Sequence, residues 1–422
     1  VEETMLTDLN SPQEGPLAGI RVLDLTGGAE QYCGKLMAQL GAEVVLIEPT
    51  QGSASRRDGP FIDDKVHIEH SLQFAYLNQG KRGMALDLTS PQGPEIFKRM
   101  VANSDLIIES ERPGQMRLLG LDRESLSDIN REIIVVSITP FGQTGPYSEY
   151  EGGDLITLAM GGLLSLGGYP GLAPTAPYGN QAVLASAQFA AVASLIAIWE
   201  LEGQAGEREG QHIDVSIQES VAMALENAVQ YVDLEKTVRK RTGGEQSQAG
   251  TGLFPCKDGM IYLMAAGIGA GRFWQTTTQW LLDGGAPAEE FCQERWHDAK
   301  FLASDEAKKI FAEIFIPFAA NKTKTELYVE GQRRRIPICP LSTTADLLEN
   351  EQLVFRGFFA TTPHPYTGRN LVMPGAPYQL SASPWHVSRP SPRLGEHTTE
   401  ILSGLGVQSD LQNMLFRDGV VV

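Results

Sequence analysis

Short apolar runs alternate with stretches of helical spacing along the first third of the chain. Ile20-Arg-Val-Leu-Asp-Leu25 has strand length, and Ala29 to Leu40 follows with Tyr32, Leu36, Met37 and Leu40 at helical spacing, stopped by Gly41. Val44-Val-Leu-Ile-Glu48 predicts the next strand, closed by Pro49. Ser90-Pro91 predicts a helix start, an N-cap followed by proline at the first helical position, with Ile96, Phe97, Met100 and Val101 on one face. Leu106-Ile-Ile-Glu109 and Ile133-Ile-Val-Val-Ser-Ile138 predict two further buried strands. Strands alternating with helices imply a parallel sheet in an α/β domain.

The middle of the chain changes character. Ile217 to Val238 predicts a helix, followed by the basic, glycine-rich Arg239-Lys-Arg-Thr-Gly-Gly244. Gly259 to Met264 predicts a strand, and Arg272–Leu282, Asp305–Phe315 and Thr323–Glu330 predict helices of a second, smaller domain. From Leu341 the chain is proline-rich and irregular to about His397, then closes on a short helix near Thr399 to Leu402. These shifts divide the chain into a polar, disordered arm (1–15), a large domain (16–218), a linker helix with a small domain (219–340) and a returning segment of the large domain (341–422).

With 34 basic and 52 acidic residues the net charge is -18, which argues against nucleic acid and against an anionic membrane surface as partners. Ala182 to Leu201 has the length and apolarity of a membrane span. It is rich in alanine and serine and lacks a flanking basic cluster, so a helix buried in a core or subunit interface is the expectation. Cys33, Cys256, Cys292 and Cys339 form no CxxC pair, which predicts free thiols, no metal site and a reducing cytoplasm. His67 and His70 flank Glu69, and a solvated loop is expected there rather than a metal site.

Several separated segments resemble the family III CoA-transferases, the formyl-CoA transferase and carnitine CoA-transferase type. They are Pro16-Leu-Ala-Gly-Ile-Arg-Val-Leu-Asp-Leu25, Leu40-Gly-Ala-Glu-Val-Val-Leu-Ile-Glu-Pro49 and Asn78-Gln-Gly-Lys-Arg-Gly-Met-Ala-Leu-Asp-Leu88. Phe141-Gly-Gln-Thr-Gly-Pro146, Glu209-Gly-Gln-His-Ile-Asp-Val-Ser216, Phe254-Pro-Cys-Lys-Asp-Gly259 and Arg393-Leu-Gly-Glu-His-Thr398 continue the series. Each is weak alone; their order and spacing are specific. The resemblance implies a Rossmann-like α/β large domain built from both chain ends, a smaller inserted domain, and two subunits interlocked as rings. It implies coenzyme A as co-substrate, with an acyl-CoA and a carboxylic acid as the reacting partners. In such enzymes an aspartate attacks the thioester to give a mixed anhydride, and glycine-lined backbone N–H groups stabilise the oxyanions.

The region where the family places that aspartate has no carboxylate from Leu155 to Trp199. Matching the local glycine puts Asn180 at the nucleophile's place, and counting back from the downstream motif puts Leu184 there. Neither an amide nor an alkyl group can do this chemistry. Positions that the resemblance assigns to CoA have also changed, with Pro49 and Leu118 where arginine is usual and Ser110 in place of asparagine. Lys81, Arg82, Leu86 and Arg117 remain as candidate CoA contacts, and Arg239-Lys-Arg241 is a second basic cluster. Asp154 reads either as an α-proton base of the racemase type or as an acid capping a helix N-terminus, the second being favoured. The resulting expectation is a non-catalytic subunit paired with a catalytic paralogue, as in the heteromeric member that uses succinyl-CoA and benzylsuccinate. An acyl-CoA racemase using Asp154 and a non-enzymatic scaffold are the alternatives.

Overall fold

In a computed structural model, which describes residues 15–266 and 271–422, the first unit is built on a six-stranded sheet. Its strands are β1 (Arg21–Asp24), β2 (Glu43–Glu48), β3 (Arg82–Ala85), β4 (Leu106–Glu109), β5 (Ile134–Thr139) and β6 (His212–Ser216). Every neighbouring pair is parallel, and the order is β3-β2-β1-β4-β5-β6. That is the doubly wound Rossmann order, which the resemblance implied.

Both faces of the sheet are covered, which is why the strands read as continuous apolar runs. Val22, Val44, Leu106, Ile108 and Val136 join one core with Cys33 and Met37 and with the long helix Gln181–Gly203. Leu23, Val45, Ile47, Ile107 and Val135 join the other with Phe97 and Met100 and with the C-terminal helices Thr398–Gly404 and Ser409–Arg417. The chain end closes this face: Leu86 bridges Val421, and Thr398 Oγ1 donates to the Val422 carbonyl.

The Gln181–Gly203 helix is long and apolar enough to cross a membrane by length and composition, with half of its apolar window buried. The remaining face exposes Phe189, Val192, Ile196 and Trp199 in one row at helical spacing.

Several boundaries differ from the sequence reading. The helix expected from Pro91 begins at Gly93, and Ser90 Oγ accepts from Gly93 N–H at 3.0 Å, the capping bond expected of it. The helix expected over Ile217 to Val238 breaks into Ile217–Met223 and Ala228–Glu235, separated at Glu226, whose φ is 47°. The irregular tail contains the hairpin β10 (Phe359–Pro363) with β11 (Asn370–Pro374), and Ser409–Arg417 is a helix that the pattern did not predict. The N-terminal arm lies outside the described residues apart from Gly15.

The second unit comprises residues 165–175 and 239–355. Its antiparallel sheet joins β7 (Thr251–Cys256), β8 (Gly259–Met264) and β9 (Ile338–Pro340). Trp274, Trp296, Phe254, Phe291, Phe311 and Phe315 form its core. Its boundaries depart from 219–340 for local reasons. Ile217 and Val221 pack into the first unit's core, so the linker helix belongs there. Leu341 N–H continues the β9 pairing onto Met260, and Lys324 binds Asp346, which holds residues 341–355 in the second unit. Arg241 donates to the carbonyls of Ser165, Tyr169 and Leu172, which draws 165–175 in as well.

Candidate functional site

In a doubly wound sheet, ligands bind outside the carboxyl ends of the strands where the order reverses. Here that switch point lies between β1 and β4. Gly27 N–H reaches Ser110 Oγ at 3.4 Å, tying the loops after the two strands together. Beside them a crevice of about 390 Å³ is lined by Glu30, Ser110, Glu111, Thr139, Glu149 and Glu151.

Beneath the loops sits a buried polar network. Lys81 Nζ donates to Asp24 Oδ2 (2.7 Å), the Gln31 carbonyl (2.7 Å) and Asn78 Oδ1 (2.8 Å). The other Asp24 oxygen accepts from Thr26 N–H and Oγ1. Gly34 is required here, because a Cβ on it would lie 2.2 Å from Asp24 Oδ2. Further along, Arg56 bonds both oxygens of Glu48 and also Glu69, and its Nη2 reaches the Pro392 carbonyl.

The residues considered for CoA fall in four different environments. Lys81 is fully buried and its three donors are all taken, so none is left for a phosphate. The Leu86 side chain lies in the hydrophobic core. Arg82 pairs with Glu43 and Glu400. Arg117 pairs with Asp122 and Glu124 on the rim of a second cavity of about 780 Å³. The geometry does not bring these four together. Arg241 is likewise engaged by three carbonyls. His67 and His70 pack against Tyr366, and His397 Nδ1 accepts from Gly83 N–H, a structural role.

At the start of the long helix, Asn180 occupies the N-cap position without a side-chain capping bond. Leu184 lies one turn in, its N–H bonded to the Asn180 carbonyl, and packs on the core. The cap comes from elsewhere: Asp154 Oδ1 accepts from Ala182 N–H at 2.8 Å and Val183 N–H at 3.2 Å. Asp154 is the first residue of its own helix, Asp154–Met160, yet it closes the N-terminus of another. Burial raises its pKa and the two N–H bonds lower it, with a net upward shift. Asp154→Ala should destabilise the fold by about 1 kcal/mol. Hydrogen exchange at the Ala182 and Val183 amides checks this, and unchanged protection there would refute the capping role.

Comparison with known proteins agrees with this fold and these motifs. The sequence profile of CoA-transferase family III matches residues 17–398. The chain belongs to CoA-transferase family III. The chain is 38% identical to the succinyl-CoA:(R)-benzylsuccinate CoA-transferase subunit BbsE of Thauera aromatica, over 95% of this chain and 97% of that one. It is 31% identical to the succinyl-CoA–L-malate CoA-transferase alpha subunit of Chloroflexus aurantiacus, over 96% and 92% of the two chains. A CAIB/BAIF family protein from Brucella suis superposes with a TM-score of 0.81 at 26% identity, covering 93% of this chain and all of that one. Within this family III transferase fold, sequence reasoning missed the acidic crevice, and it favoured a capping role for Asp154 without identifying the helix that is capped. The crevice is assembled from distant segments, and the cap joins residues 28 and 29 positions apart.

Proposed function

We propose that this chain is the non-catalytic subunit of a heteromeric CoA-transferase. The observation that carries the reading is the long-helix N-terminus, where Asn180 and Leu184 stand in the two candidate registers and the nearby acid, Asp154, caps the helix. An uncharged amide cannot form and release a mixed anhydride. The chemistry then belongs to a catalytic paralogue, and this chain's role is to stabilise it and complete its pocket. The row Phe189, Val192, Ile196 and Trp199 supplies an apolar face of the kind that marks subunit contacts. The names of the succinyl-CoA-dependent relatives support succinyl-CoA as donor and a benzylsuccinate-like dicarboxylate as acceptor.

The purified chain should transfer no CoA, and hydroxylamine trapping with acyl-CoA should modify only the paralogue when both are present. Asn180→Asp should stay inactive, because Pro49, Ser110 and Leu118 remain at the expected CoA contacts. Transfer by the chain alone, or an acyl adduct on it, would show that it carries its own nucleophile. The racemase alternative needs Asp154 as a free base, and its Oδ1 already accepts two N–H groups. Absence of α-deuterium exchange into a 2-methyl-branched acyl-CoA in deuterated water would remove that alternative.

A further inference from the structure

The crevice beside the switch point has the wrong charge for the phosphates of CoA. Its wall carries Glu30, Glu111, Glu149 and Glu151 against a single basic side chain, Arg112, and that one is ion-paired with Glu151. No salt bridge among the described residues neutralises the other three carboxylates. An acidic wall alone is often a solvated surface.

A second observation points to a ligand. Thr139, the last residue of β5, lines the same crevice, is 1% exposed, and its hydroxyl has no hydrogen-bond partner. A buried hydroxyl left unmet is unfavourable, and a ligand N–H would satisfy it. Tyr150 lines the opening with its ring 5.2 Å from that of Tyr147, an aromatic surface that favours a cation. Burial, with Asp24 and Asp154 nearby, pushes the Glu30 carboxyl up, a penalty that a bound positive charge would relieve. The volume, about 390 Å³, suits a small head group. Among the described residues no group of three His, Cys, Asp or Glu side chains is placed to hold a metal ion.

We propose that this crevice binds an organic cation, an alkylammonium or guanidinium head group, where the fold would otherwise receive an anionic cofactor. The head group lies among Glu30, Glu111 and Glu149, donates to Thr139 Oγ1 and packs on Tyr150. The inference concerns the charge of the crevice and does not require the chain to be catalytically silent. The cation can be a free amine or a lysine or arginine side chain of a partner subunit, and the test separates these sources.

Agmatine carries both head groups and serves as the probe, titrated calorimetrically into the full chain at low ionic strength beside CoA. Saturable agmatine binding is expected, with none by CoA in this crevice. The Glu111→Gln/Glu149→Gln double variant should weaken it about tenfold. Thr139→Val should weaken it several-fold without loss of thermal stability, because it only removes an unpaired hydroxyl. If the natural cation is free, the complex with the paralogue binds agmatine as the chain alone does; if a partner side chain supplies it, the paralogue displaces agmatine. No agmatine binding, binding that the double variant leaves unchanged, or displacement of agmatine by CoA would each overturn the proposal. The acyl-adduct assay tests catalytic silence separately.

Discussion

Lys81→Met is expected to lower the stability of the chain by about 3–5 kcal/mol, the loss typical of breaking a buried ion pair from one side. Both charged side chains are fully buried, 2.7 Å apart. Methionine fills similar volume, so the effect reports the charge and its hydrogen bonds rather than a cavity. Asp24 would keep its bonds from Thr26 but lose its counter-charge, and Asn78 Oδ1 and the Gln31 carbonyl would lose their donor. The Asp24→Leu/Lys81→Met pair should recover much of the loss, because well-packed apolar replacements of a whole buried pair are often neutral. Urea unfolding followed by circular dichroism reads both. A single-variant loss below about 1 kcal/mol, the range of exposed pairs, would mean that the amine is solvated and the network dispensable.

That lysine also shows where sequence reading stops. In Asn78-Gln-Gly-Lys-Arg it reads as a cation available to a phosphate, because nothing local announces a partner. The partner is Asp24, 57 residues earlier, and only the parallel pairing of β1, β2 and β3 brings the two together. The strands themselves were legible because burial on both faces leaves nearly continuous apolar runs, such as Ile133 to Ile138 with Ser137 its one polar residue. The absence of any carboxylate from Leu155 to Trp199 was legible too, since it needs no tertiary information. Asp154 was half legible: its capping chemistry is local, but the helix it caps begins beyond a loop. The break at Glu226 was hidden because a positive φ in a non-glycine residue leaves no compositional trace. The Ser409–Arg417 helix was missed because it is short and follows a glycine stop, although Leu415 belongs to the core.

Glu109 should make the stability of the chain fall as pH rises from about 4.5 to about 7, by roughly 3 kcal/mol at most. The residue ends β4, is 2% exposed, and lines the larger cavity with Ser137 and His212, whose Oγ and Nε2 lie 2.8 Å apart. Burial pushes its carboxyl up to about 7, with Glu111 and Asp214 adding to the rise and bonds from Ser137 and Glu111 N–H opposing it. Below the unfolded value both states are protonated and the group is neutral to stability. Between the two values the unfolded chain ionises while the folded chain holds its proton, so the folded state binds more protons and stability declines with pH. Above about 7 both are ionised and the loss is complete. Glu109→Gln keeps the shape and cannot ionise. It should match the parent near pH 4.5 and exceed its stability above pH 7, flattening the profile between them. Denaturant midpoints measured across that range decide the matter. Parallel profiles for the two proteins would show that Glu109 ionises normally in the folded chain and that water reaches the floor of the cavity.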